Sequence, residues 1–210
     1  APWSRMMLHK AKRIVVKVGS SLITDEANLL REEWMHSVAK DIVALKKQGK
    51  EVIIVSSGAV AMGRHVLGYG KRTLELEEKQ AAAACGQYMV VQAWAEALQK
   101  AGGLHAAQIL LTAEDSINRR RYLNARNTLG TLLENNAVPV INENDTVATA
   151  ELRFGDNDRL AARVAQMAEA DLLIVFSDID GLYSADPNKN KDAKFIDTVN
   201  DITSDIEQMA

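Results

Sequence analysis

Arg13-Ile14-Val15-Val16-Lys17-Val18-Gly19-Ser20-Ser21 is the stretch on which the reading of this chain turns. Residues 13–18 are a short β-branched run, the pattern of a strand buried on both faces. A glycine and two serines come next, and a lysine stands where a valine would fit. Outward from here the same grammar repeats. Leu30, Trp34, Val38, Ile42 and Leu45 recur at three- and four-residue steps, a helix face that Gly49 closes as a C-cap. Glu51 to Ser56 reads as a second strand. A helix is predicted from about Glu75 to Lys100, weakened by Gly86 and broken by Gly102-Gly103. Ala106 to Leu111 is a third strand. Tyr122, Arg126, Leu129 and Leu133 share the next helix face. Val138 to Ile141 is a short strand, with Pro139 tolerated near its start. Leu160, Val164 and Met167 mark another helix, and Leu172 to Phe176 is the most apolar strand of all. Strand and helix in alternation predict a three-layer α/β/α sandwich with a mostly parallel central sheet. No internal repeat or interdomain linker interrupts it, and the polar stretch Asp186 to Lys194 reads as a flexible loop.

Composition narrows the function classes. The chain has 210 residues, a formal net charge of −3 and 47% hydrophobic residues. That supports a folded domain and argues against a nucleic-acid binder. A lone cysteine, Cys85, excludes an internal disulfide and a cysteine-based zinc site. No apolar run reaches the ~18 residues of a membrane span. The start, Ala1-Pro2-Trp3-Ser4-Arg5, has no apolar signal core and reads as a processed end. Gly70-Lys71 precedes Arg72, so there is no Walker-type phosphate loop, and Gly68-Tyr69-Gly70 fails as a dinucleotide fingerprint. His9, His36, His65 and His105 have no metal-ligand spacing. Cys85, Tyr88 and Trp94 read as packing residues.

Ligands of open α/β sheets bind beyond the carboxyl ends of the strands, so the residues just past each strand test for a site. Gly19-Ser20-Ser21, Ser57-Gly58-Ala59, Asn142-Glu143-Asn144-Asp145 and Ser177-Asp178 occupy four such exits. Any one of them alone is an ordinary turn; four on one sheet edge point to a site. Lys17 alone reads as a lysine snorkelling from a strand end. Beside Gly19 it also reads as a fixed cation aimed at a phosphoryl group, with the glycine letting backbone N–H groups form an anion nest. Asp156-Asn157-Asp158 begins the helix of Leu160 and Val164. Asp156 by itself is a helix cap. With Asn142 and Asp145 these residues are suited to an ammonium group and a carboxylate together.

These segments resemble the amino-acid kinase family. The likeness is carried by Ile14 to Ser21, Val55 to Ala61, Val138 to Asp145, Gly155 to Asp158, Ser177-Asp178 and Gly181 to Pro187, in the family's order over nearly the whole chain. The lysine motif is shared across the family. The Asn-Glu-Asn-Asp segment and the later Gly-Asp-Asn-Asp resemble the branch that acts on glutamate. The resemblance implies that ATP phosphorylates the side-chain carboxylate of L-glutamate to glutamyl 5-phosphate, the first step of proline synthesis, in the cytoplasm. By the same resemblance Lys17 contacts the phosphates, Gly19 and Ser20 shape the backbone beside it, and Asp158 orients the lysine by ion pairing. Ser57 with Gly58, Asp145 and Asn157 bind glutamate, supported by Asn142 and Asp156. Ser177 and Asp178 lie by the nucleotide. Mg²⁺ rides on the ATP phosphates, with no protein metal ligand expected. Proline as a feedback inhibitor and a homo-oligomer, dimer or tetramer, are implied in the same way.

The family's second catalytic lysine sits in a Gly-Thr-Gly-Gly-Met-x-Thr-Lys segment downstream of Ala210. The resemblance therefore leads to the expectation of a C-terminally incomplete kinase domain over residues 5–210, without the accessory domain of many bacterial members and not a competent kinase on its own. Its sheet is expected to expose an edge or an apolar face. Other readings stay open: an acetylglutamate or carbamate kinase type, a non-catalytic amino-acid-binding fragment, or the kinase half of a bifunctional synthase.

Overall fold

Alternation along each strand decides which helix covers which face of the sheet. The computed structural model describes residues 2–149, 151, 153–154 and 157–209, with residues 2–4 in their backbone only. The chain divides into two units, Ala1–Phe176 and Ser177–Ala210. The first runs α1 (Pro2–Lys10), β1 (Arg13–Val18), α2 (Ser20–Ile23), α3 (Glu32–Lys47), β2 (Glu51–Ser56), α4 (Ala59–Leu67), α5 (Leu76–Gly102), β3 (His105–Leu111), α6 (Ala113–Ile117), α7 (Arg119–Glu134), β4 (Ala137–Glu143), α8 (Asn157–Met167) and β5 (Leu172–Phe176). The five strands pair in the order β3-β4-β2-β1-β5, all parallel. Successive residues of a strand point to opposite faces. Ile14, Val16, Val18, Val52, Ile54, Val138 and Val140 form one core with Met35 and Ile42 of α3 and Val90, Trp94 and Leu98 of α5. Val15, Ile53, Val55 and Ile141 form the other with Leu129 and Leu133 of α7 and Leu160, Val164 and Met167 of α8. The mostly parallel sheet with helices on both sides is the predicted fold class.

Several local choices trace to single residues. Gly49 has φ +79° and sits one residue past the cap of α3. Its N–H bonds Lys46 O and that of Lys50 bonds Leu45 O, a Schellman closure. Lys50 is buried, and its ammonium donates to the carbonyls of His9, at 2.8 Å, and Ala11, at the C-terminal end of α1. Glu75 and Glu78 form the capping box that starts α5. Trp94 is fully buried and its indole N–H donates to Ser56 Oγ at 2.9 Å, as a buried indole requires.

The structure departs from the sequence reading at several points. Residues 59–67 form α4, a helix the periodicity did not announce, because it is short and apolar on most sides. Gly102 is the last residue of α5 rather than its breaker; the turn is made at Gly103, φ +70°. Gly86 does not weaken α5 so much as permit α4 to lie on it. A Cβ on Gly86 would stand 1.9 Å from Ala59 O, and one on Gly63 would stand 1.7 Å from Ala82 O. The two helices touch backbone to backbone. Tyr88 is 61% exposed and is not a packing residue. β4 is longer than its apolar run and carries Asn142 and Glu143 in its last two positions. The most apolar strand, β5, lies at the sheet edge, with Val175 and Phe176 45% and 36% exposed. Phe176 meets Trp34 edge-on at 6.1 Å between ring centroids.

The second unit holds β6 (Leu182–Tyr183) and β7 (Phe195–Ile196), paired antiparallel, and α9 (Ser204–Met209). Between the strands, residues 186–194 are not a free loop. Asp186 Oδ1 accepts the Asn188 N–H and Asn190 Oδ1 accepts the Asp192 N–H, both at 2.9 Å, the Asx turns such residues favour. Backbone N–H donors lead the causes that hold the Asp186 carboxyl below its usual range.

The glycine contact gives a test. Gly86→Ala should lower the unfolding free energy by about 3 kcal/mol, because backbone rather than a yielding side chain blocks the methyl group. Gly130 lies inside α7 with nothing among the described residues within 4 Å of a Cβ. Gly130→Ala should instead stabilise by about 0.5–1 kcal/mol. Urea denaturation at constant m-value measures both.

Candidate active site

Four of the predicted site segments meet at the carboxyl ends of β1, β2 and β4. Lys17 is the fifth residue of β1, and the pleat turns it to the α7/α8 side of the sheet with Val15. Its side chain is only 13% exposed and its Nζ lies 2.7 Å from Asp158 Oδ1, in the first turn of α8. The expected ion pair is present. Gly19 comes two residues later with φ −73° and ψ 158°, an extended backbone. The anion nest expected there needs a turn-type backbone, so that reading is corrected. Glycine has a different use here. A Cβ on it would stand 3.6 Å from Lys17 Nζ, so the missing methyl leaves the ammonium uncovered on that side. Ser20 opens α2, and its N–H belongs to the first turn, which has no helical acceptor.

Ser57 leaves β2 with its N–H bonded to Val18 O at 3.0 Å, which ties the exits of β1 and β2 together. Gly58 then takes φ +104° as the N-cap of α4. A side chain is strained at that angle, and a Cβ there would also strike Ile23 at 2.7 Å. From these exits a hydrogen-bonded chain crosses the sheet end. Asn157 Nδ2 donates to Ser57 Oγ at 2.6 Å and to Asn142 Oδ1 at 3.2 Å. Asn142 Oδ1 also accepts the Glu143 N–H at 2.9 Å, and its Nδ2 donates to Gln87 Oε1 on α5 at 2.9 Å. Asn142 and Glu143 are consecutive and therefore serve opposite faces. Glu143 turns to the other side, where its Oε2 accepts the Phe154 N–H at 2.7 Å.

Asp145 lies just beyond, in a segment fixed by Asn144 N–H to Leu111 O and Gln80 Nε2 to Ala148 O. Burial and then the nearby Glu143 charge push its carboxyl up to about 6, against a lowering by Arg153. Ser20, Ser57, Gly58, Asn142, Asp145 and Asn157 line one cleft of about 360 Å³, together with Asn28, Arg64, Glu143 and Arg153. A second cleft of about 170 Å³ adjoins it, sharing Glu143 and Asp145 and adding Gln87, Tyr88 and Gln108. Gln87, Arg64 and Glu143 were not singled out from sequence. Glu143 stood inside the quoted motif, whereas Gln87 had only its place in the alanine-rich helix, one residue after Gly86, to mark it. Asp156 and Gly155 lie outside the described residues. Ser177 and Asp178 begin the second unit, where Ser177 Oγ donates to Asp178 Oδ1 at 3.2 Å.

The sheet order, the helix layers and the polar groups gathered at the strand exits define a parallel α/β domain with a polar cleft at its strand ends. The chain belongs to the amino acid kinase family, whose match covers residues 12–208. It is 59% identical over 203 residues to glutamate 5-kinase 1 of Mesorhizobium japonicum, 97% of this chain and 53% of that one. It is 61% identical over 204 residues to the glutamate 5-kinase of Paramagnetospirillum magneticum, 97% of this chain and 55% of that one. With the Brucella ovis glutamate 5-kinase the identity is 58%, over 97% of this chain and 54% of the relative. The chain thus spans about half the length of these relatives. A crystal structure of an isopentenyl phosphate kinase substrate complex superposes with a TM-score of 0.62 at 19% identity, covering 94% of this chain and 83% of that one. That likeness concerns the fold. Among the described residues no helix is long and apolar enough to cross a membrane.

A raised carboxyl makes Asp145 a liability for stability at neutral pH. Its folded form binds protons at pH values where the unfolded carboxyl has lost them, so stability falls as pH rises from about 4 to 6. Asp145→Asn should stabilise the protein on the order of 1–2 kcal/mol at pH 7.5, discounted for partial exposure. The gain should vanish at pH 4. Melting temperatures of both proteins at the two pH values decide it.

Proposed function

We propose that residues 5–210 act within the kinase domain of an enzyme that transfers the γ-phosphoryl group of ATP to the side-chain carboxylate of L-glutamate. The observation that carries the reading is the pairing of Lys17 with Asp158 at 2.7 Å beside a cleft lined by Ser57, Asn142, Asp145 and Asn157. The cleft offers a carboxylate and an amide oxygen to an ammonium group, and a hydroxyl to a carboxylate. That is the polarity of an α-amino acid head. The relatives named glutamate 5-kinase support this choice of substrate.

The chemistry asks little covalent help of the protein. A glutamate carboxylate is ionised at neutral pH and attacks the γ-phosphorus without a general base. What the site must supply is position and charge neutralisation. Asp158 holds the Lys17 ammonium in one place, and the open side at Gly19 lets it reach a phosphoryl oxygen as negative charge shifts in the transition state. Ser57 and Asn157 fix the amino-acid head, with Asn142 and Asp156 supporting and Asp145 neutralising the ammonium. Ser20, Ser177 and Asp178 are assigned to the nucleotide by the family resemblance, and Mg²⁺ enters with the ATP phosphates. Proline feedback, a homo-oligomer and a cytoplasmic setting belong to the same reading.

Glutamate-dependent ATP turnover, compared with acetylglutamate and with no acceptor, tests it. Lys17→Ala should lower kcat roughly 10²–10³-fold, the loss seen when one preorganised donor is removed. Unchanged turnover would take Lys17 out of the mechanism. Residues 1–210 alone should turn over slowly, because Asp158 already offsets the one lysine the reading assigns to the phosphates.

Binding gives a second check. An ammonium group needs Asp145 ionised, and its carboxyl sits at about 6. Affinity for L-glutamate should therefore rise roughly tenfold from pH 5 to 7.5. The rise should be absent in Asp145→Asn. A wild-type affinity flat over that range would remove Asp145 from the ammonium contact.

A further inference from the structure

Gln87 lies outside the 360 Å³ cleft, on α5, and lines its smaller neighbour. It is nonetheless the far end of the hydrogen-bonded chain that reaches Ser57. The polarity of that chain can be traced donor by donor. The Glu143 backbone N–H cannot reverse, so the Asn142 group facing it must be the oxygen. Asn142 Nδ2 then points at Gln87 and needs an acceptor, which Gln87 Oε1 supplies at 2.9 Å. With Asn142 Oδ1 fixed, the Asn157 group facing it must be the donor nitrogen. Asn157 Nδ2 spends its second proton on Ser57 Oγ. Two consequences reach the cleft. Asn157 Oδ1 is left as an acceptor with no partner among the described residues, and the Ser57 hydroxyl, having accepted, has its own proton to donate.

We propose that Gln87 is a positioning residue that locks the Asn142 and Asn157 amides in one orientation and so selects ligands that carry an α-ammonium group. The inference rests on the glutamate reading above, and it adds a selectivity determinant on a different element from any ligand-contacting residue. Removing the Gln87 acceptor leaves a buried Asn142 N–H unpaired, with only the Glu143 N–H still holding that amide, which favours a tilt of Asn142 toward another acceptor. Asn157 then loses the constraint that keeps its oxygen toward the ligand.

Calorimetric titration of the 210-residue chain with L-glutamate and with glutarate, which lacks the ammonium, tests this. Wild type should prefer glutamate. Gln87→Met, close in volume but without an acceptor, should weaken glutamate roughly tenfold while leaving glutarate within about twofold. Gln87→Glu keeps an acceptor oxygen and should restore the preference at pH 7.5. The Asn157 side-chain amide resonances, assigned by their loss in Asn157→Ala, should shift in ligand-free Gln87→Met. Equal weakening of both ligands would mark Gln87 as a packing residue and overturn the proposal. So would an unaltered preference in Gln87→Met, or Asn157 resonances that do not move. Wild type that binds no L-glutamate would sink the glutamate reading and this inference with it; wild-type binding with an indifferent Gln87→Met sinks the inference alone.

Discussion

β1 is held on both edges in parallel register, with Val16 opposite Ile54 on one side and Ile174 on the other. Almost everything about the site depends on that placement. Because both neighbours run parallel to it, all three strands deliver their carboxyl ends to one edge of the sheet. Because the pleat alternates, a residue's parity decides which helix layer it meets. Lys17 shares parity with Val15 and meets α8. Asn142 shares parity with Val140 and meets α5. A one-residue slip would turn the lysine toward the α5 layer and separate it from Asp158.

The two polar systems that result have different physical character. The Lys17–Asp158 pair is lopsided, with the cation mostly covered and the carboxylate 56% exposed. Such a pair holds the ammonium in place while leaving it room to engage a second anion. The amide chain is neutral and made of short directional contacts. It carries orientation rather than charge, which is what the amino-acid head of the proposed substrate would require. Asp145 places a carboxyl in an unfavourable position, with Glu143 close by. A site that is uncomfortable when empty and neutralised when filled is a common arrangement where a cationic group must bind.

Much of the fold was legible because parallel strands leave a strong mark. Arg13–Val18 and Glu51–Ser56 are short runs dominated by Val and Ile, and both have the bounds read from sequence. α8 was readable from Leu160, Val164 and Met167 alone, and all three are buried. α4 escaped because nine residues, most of them apolar, give little periodicity. Tyr88 misled because an aromatic on a helix packed against the sheet is usually inside. The site was legible where a polar residue replaces an expected apolar one, as at Lys17 and Asn142. It was not legible at Gln87, since a glutamine in a helix is ordinary until the strand it faces is known. Gly86 was read as a weakness of the helix, and its purpose became visible only against Ala59, 27 positions earlier in the chain.

That glycine seam has a mechanical consequence. At Gly63 and Gly86 main-chain atoms set the closest approach of α4 and α5, so a rotamer change there cannot let one helix slide over the other. Such a contact resists movement of one helix against its neighbour. Ser57 and Gly58 lead into the first of these helices, and the second carries Gln87. The two ends of the amide chain are therefore mounted on a single stiff frame, and the span between them is set when the protein folds rather than when a ligand arrives. Discrimination by such a frame is geometric: a ligand head that needs a wider opening meets resistance from the backbone before any hydrogen bond is tested.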